Sequence, residues 1–146
     1  MAYATRVDIE TIFGETEVKT WADRENRGTA AQKSVIDARI TAALAYAEEW
    51  VNDFLRGGAY AVPLVAAHAR VTRAAAQVAA VYLYDPRGFA DKGENETHRL
   101  QPHMQEAVDF LGEVKAGTIR LAGETLDDSG PNVYDFDADR VATDLY

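Results

Sequence analysis

No cysteine occurs in the chain, which excludes disulfides, thiolate metal sites and thiol nucleophiles together. Serine is nearly as scarce: Ser34 and Ser129 are the only two, and neither sits in the GxSxG turn that an activated serine requires. The histidines His68, His98 and His103 form no HExxH and no paired metal-ligand spacing. Positive charge is also short, with 15 Lys and Arg against 24 Asp and Glu, a net of -9. That balance disfavours a surface that wraps nucleic acid by neutralising phosphates. A long hydrophobic run is missing too. The most apolar stretch, AYAVPLVAAHARV, is broken by Pro63, His68 and Arg70, well short of the roughly 20 residues a membrane span needs. MAYATRVDIE lacks the basic-then-apolar layout of a signal peptide, so a soluble protein made in the cytoplasm is expected.

What is present suffices for one hydrophobic core: 146 residues is near the common size of a single domain. The acidity is unevenly spread. Residues 123–146 hold Glu124, Asp127, Asp128, Asp135, Asp137, Asp139 and Asp144 against Arg140 alone, a net of -6 out of -9. The chain therefore divides into a body, residues 1–122, and an acidic, partly extended tail, residues 123–146. Aromatic and aliphatic residues punctuate the aspartates of NVYDFDADRVATDLY, a composition typical of segments that order on binding.

The body reads as all-α, a small helical bundle. Asp8 suits the N-cap of a short helix that Gly14 stops, and a second short turn follows with Val18 and Trp21 on one side. Thr29 and Gln32 have capping-box spacing and announce a long helix from about Ala30 to Arg56. Its apolar stripe is Ile36, Ile40, Ala43, Leu44, Ala47, Val51, Phe54 and Leu55. At ~1.5 Å per residue it is on the order of 40 Å long. Gly57 or Gly58 closes it, and Pro63 suits the first turn of a second long helix. That helix, rich in alanine, is expected to be the most buried. A third helix spans about Glu96 to Lys115, with Leu100, Met104, Val108, Leu111 and Val114 inward and Pro102 forcing a kink or a later start. TIRL suggests a short strand.

Site motifs are weak. The glycines of FLRGGAYAVPL lack phosphate-loop spacing and follow a helix, so they punctuate two helices. DRENRG starts like a calcium loop, with Asp23, Glu25 and Gly28 in register, but Arg27 falls in the coordination shell and Ser34 stands where the bidentate glutamate belongs. Glu48 and Glu49 point about 100° apart on a helix and cannot share one substrate. No cofactor, metal site or catalytic group is indicated. The stretch from residue 54 to 84 has no acidic residue and carries Arg56, Arg70 and Arg73. A subunit with one acidic and one basic patch suits a heterologous interface, in which Glu48, Glu49 and Asp53 of one copy face Arg70 or Arg73 of the next.

Several stretches in order, YATRVDIETIFGE, the tryptophan turn with DRENRG, VNDFLRGGAYAVPL, YLYD and AVDFLGEVKAGTIRL, give a chain that resembles the Mu-like family of phage head-to-tail connector (adaptor) proteins. Arg27 departs from the pattern, since the corresponding segment in relatives is often richer in aspartate and glycine. The resemblance implies a non-enzymatic virion protein at the head-tail neck, made in the host cytoplasm. It further implies a homo-oligomeric ring, dodecameric by family analogy, beneath the portal protein, with stopper or tail proteins below and genome DNA passing unbound through the lumen. An end segment of related connectors docks on the portal, a role that falls here on Phe136, Arg140, Val141, Asp144 and Leu145. A stopper or tail-completion protein is the nearest alternative, disfavoured by two long helices. An acidic regulator that mimics DNA is a different class, and a mimic carries its carboxylates on the folded body rather than in a tail. A helical enzyme ranks third because no site is assembled.

Overall fold

Every residue from Ala74 to Ala80 is buried, including Gln77. A helix buried on all sides has to be surrounded, and its short alanines let neighbouring backbones approach closely. This is the central helix expected from the sequence. The computed structural model describes residues 2–23, 33–84 and 94–126, with residues 94–99 as backbone only. Among them the chain is all-α, with helices α1 (Arg6–Phe13), α2 (Glu15–Ala22), α3 (Lys33–Leu55), α4 (Ala69–Tyr84) and α5 (Glu94–Lys115), and no strand. Helix α4 packs between α3 and α5, while α1 and α2 cover its remaining side.

Local rules account for most of the boundaries. Helix α1 begins at Arg6 with Thr5 as its N-cap, so Asp8 is not the cap but the third helical residue, whose Oδ2 accepts the Thr5 amide at 2.7 Å and hydroxyl at 2.8 Å. Gly14, at φ 95°, separates α1 from α2. Val18 and Trp21 of α2 are both fully buried, as their three-residue spacing predicts. The guanidinium of Arg6 joins Glu10 at 2.7 Å and Asp37 of α3 at 2.5 Å, and Arg39 Nη1 donates to the carbonyl of Ala22 at 2.8 Å, a cation at a helix C-terminus. The Thr29–Gln32 capping box and Glu25, Arg27 and Gly28 lie outside the described residues.

On α3 the buried positions are Ile40, Ala43, Ala47, Val51 and Leu55, with Ile36, Leu44 and Phe54 partly buried beside them, which is the predicted stripe. Helix α5 differs. Its buried residues are Leu100, Ala107, Phe110, Leu111 and Val114, so Ala107 and Phe110 turn inward where Val108 was expected. The steps 100, 104, 107, 111 and 114 alternate four and three residues and keep the stripe straight along the helix. Pro102 does not delay the start, since α5 runs through it from Glu94.

The α3–α4 corner is longer than the sequence suggests. Gly57, at φ 78°, closes α3 as expected, but Pro63 does not open α4: residues 61–68 form a loop and the helix starts at Ala69. The reason is that loop amides find partners from distant parts of the chain. The Leu64 amide donates to the Tyr3 hydroxyl at 2.8 Å, and that hydroxyl donates to Asn52 Oδ1. The Ala59 amide meets the Lys115 carbonyl and the Ala61 amide the Thr125 carbonyl, each at 2.9 Å. TIRL is no strand. Instead, among the described residues past α5, Leu126 makes an antiparallel bridge with Tyr60. Gly58 lies so close to the end of α5 that a Cβ there would stand 2.6 Å from Lys115 Cγ and 2.8 Å from the Lys115 carbonyl oxygen.

Candidate assembly surfaces

Three aromatic residues, Tyr46, Trp50 and Phe54, recur every four positions along α3 and so line one face of it. Tyr46 stacks on Tyr82 of α4 with centroids 4.3 Å apart, and Trp50 stacks on Phe54 at 5.1 Å. The Lys115 ammonium stands 5.7 Å from the Phe54 ring centre. The result is a ridge of rings, preorganised by stacking, with Tyr46 43% exposed. A hollow of about 380 Å³ along it is lined by Tyr46, Glu49, Trp50, Asp53 and Phe54. Glu49 and Asp53 therefore share a face. Asp53 also accepts from Arg56 Nη1 at 2.6 Å, an exposed pair that holds little energy. Glu48 belongs elsewhere: it is half-buried on the side of Tyr3. Burial raises the Tyr3 hydroxyl above its ordinary value, the Leu64 amide opposes this, and the charges of Glu48 and Glu124 add to the rise.

A second surface lies between α4 and α5, a groove of about 460 Å³. The Arg70 guanidinium covers the Phe110 ring at 4.3 Å from its centre, so one ring face and one cation are stacked together at the groove. Arg73 Nε bonds Glu106 Oε1 at 3.0 Å within the same chain. Buried Gln77 donates to the other Glu106 oxygen at 3.2 Å and meets His103 Nδ1 at 3.1 Å. Hydrogen bonding from Arg73, helped by Gln77, keeps Glu106 below the ordinary carboxylate value although burial opposes it. Arg73 thus has a partner at home, while Arg70 has no carboxylate within ion-pair distance among the described residues.

The two surfaces face opposite ways. At about 100° per residue, Arg70, Arg73 and Gln77 fall within an arc of about 60° on α4, and Tyr82 lies about 150° around the helix from its centre. The sequence-derived interface residues are accordingly sorted: Glu49 and Asp53 on the ridge, Arg70 and Arg73 on the groove, Glu48 on neither.

A third cluster fixes the end of the described chain. The Glu124 carboxylate, with its side chain 1% exposed, accepts the Val65 and Ala66 amides at 2.9 Å each and lies 2.7 Å from His68 Nε2. Burial alone would raise this carboxyl. The two amides and His68 outweigh that effect and hold it below the ordinary value. Counting charges along the sequence groups Glu124 with the tail aspartates. Its isolation from them, three residues ahead of Asp127 and behind apolar Leu121, is the sole local hint of a different role.

Among the described residues no three His, Asp or Glu gather to hold a metal ion, and no helix is long and apolar enough to cross a membrane. Phe136, Arg140, Val141, Asp144 and Leu145, the expected portal-docking residues, lie outside the described residues. The fold and its surfaces define a small all-α protein with two unlike faces set back to back. Residues 3–135 match the family model described as Bacteriophage Mu, Gp36, and the chain belongs to that family. No curated protein matches it.

Proposed function

We propose that this chain is a non-catalytic structural protein of a Mu-like phage particle, a head-to-tail connector whose copies form a ring under the portal, joining capsid to tail around the DNA path. Membership of a phage Mu family supports the setting. The observation that carries the assembly is the placement of the acidic aromatic ridge and the arginine groove on opposite sides of α4. A subunit with two different faces joins copies head to tail, and such contacts close into a ring when the rotation between copies permits. With Glu124 held against the body, residues 127–146 keep six aspartates against one arginine, a net charge of -5, and supply a segment suited to a basic partner surface, with Phe136, Val141 and Leu145 as apolar anchors and Arg140 and Asp144 as polar ones. The portal is the partner we assign to it, with stopper or tail proteins on the opposite side.

Negative-stain images of the purified protein mixed with its portal test this reading. A ring-capped portal is the expected result. A monomer that ignores the portal and captures a basic host regulator would instead support an acidic regulator. Removing residues 132–146 should leave the helical circular dichroism intact while portal binding disappears; a truncated protein that still attaches would show that the docking segment lies elsewhere.

A further inference from the structure

Tyr46 is 43% exposed although one face stacks on Tyr82, and among the described residues nothing fills the hollow between it and the partly buried Trp50 and Phe54. Resting on the ring reading above, we propose that the occupant is the Arg70–Phe110 stack of a second copy, so that Trp50 and Tyr46 are the anchors of the subunit interface. Two observations select this occupant. The first is chemical: the ridge combines aromatic faces with the carboxylate of Glu49, beside the Asp53–Arg56 pair, a set that recognises a guanidinium by cation–π contact and by charge at once. Among the described residues Arg70 is the groove's cation without a carboxylate, already seated over the Phe110 ring and therefore ordered before contact. The second is geometric: ridge and groove lie on opposite sides of α4, so one copy cannot satisfy itself, and each copy leaves one face open for the next. Arg73 contributes less because Glu106 holds it, and the groove carboxylates Asp109 and Glu113 oppose the acidic ridge, which confines the favourable charge contact to Arg70.

The lack of cysteine makes the test clean. Ala45→Cys, exposed beside Tyr46, and Gln105→Cys place single thiols beside the ridge and beside the groove in two separate full-length proteins. Mixed at high concentration with a short bis-maleimide, they should give the mixed dimer well above either homodimer. Adding Trp50→Ala or Arg70→Ala should lower its yield on the order of tenfold, with an unchanged circular dichroism spectrum showing that the variants fold. Homodimers alone, no product above background, or a mixed dimer indifferent to both alanine variants would overturn the proposal. Portal capping by the wild-type protein is read separately. If capping occurs without the mixed dimer, the interface is wrong and the connector reading stands; if the mixed dimer forms and portals stay bare, the interface stands without the connector.

Discussion

Single residues set the sharpest expectations. Gly58→Ala would push a methyl against the Lys115 backbone, which cannot yield as a side-chain tip can, so a loss of about 1–3 kcal/mol is expected in thermal or urea unfolding. Gly112→Ala, inside α5 with nothing within 4 Å of the new Cβ, should instead gain about 0.5–1 kcal/mol. The signs differ because Gly58 lies in the bend after α3 against the end of α5, whereas Gly112 is interior to α5 with open space beside it. For Glu124 the sign follows from its depressed carboxyl: its stabilisation is complete above the ordinary value of 4.5 and is lost as pH falls through the lower folded value. Glu124→Gln should therefore lower stability at neutral pH by about 1–3 kcal/mol and flatten the decline in melting temperature on acidification. An acid profile identical to wild type would show that this carboxylate is not a source of the decline. None of these partners is visible locally, because Val65 and Ala66 lie nearly sixty residues before the carboxylate that binds them.

At the scale of elements, repetition was legible and long-range pairing was not. The three- and four-residue steps of Ile40, Ala43, Ala47, Val51 and Leu55 reveal α3 and its buried face without a structure, and the alanines of α4 reveal its central place. Pro63 misleads because its fixed φ fits a helix start equally well as a loop whose amides are taken by Tyr3 and Glu124. The ridge had a signal, Tyr46, Trp50 and Phe54 at four-residue spacing, but Phe54 also fits the inward stripe and is counted there. The corner's dependence on the segment after α5 gives a truncation test. A chain ending at residue 131 keeps the Glu124 clasp and the Tyr60–Leu126 bridge and should melt like the full protein. One ending at residue 122 loses the clasp, the bridge and the Ala61–Thr125 bond together, and about 2–4 kcal/mol of stability with them. Equal melting of the two would show that the corner holds itself.

For the molecule as a whole, charge decides more than shape. If copies surround a DNA path as proposed, a subunit of net charge -9 should slide past phosphates rather than grip them, so no duplex-DNA retardation is expected in a mobility-shift assay at physiological salt. Clear retardation would contradict a passive lumen. The mooring of Leu126 beside Tyr60 has a geometric consequence. Ten peptide units separate it from Phe136, and a fully stretched chain covers ~3.3–3.6 Å per unit, so that aromatic stays inside a sphere of about 35 Å radius centred on the hairpin bend between the two long coils. On the proposed docking role, a receptor for Phe136 has to come within that leash, and lengthening the leash with inserted glycines would widen the catchment while weakening the grip.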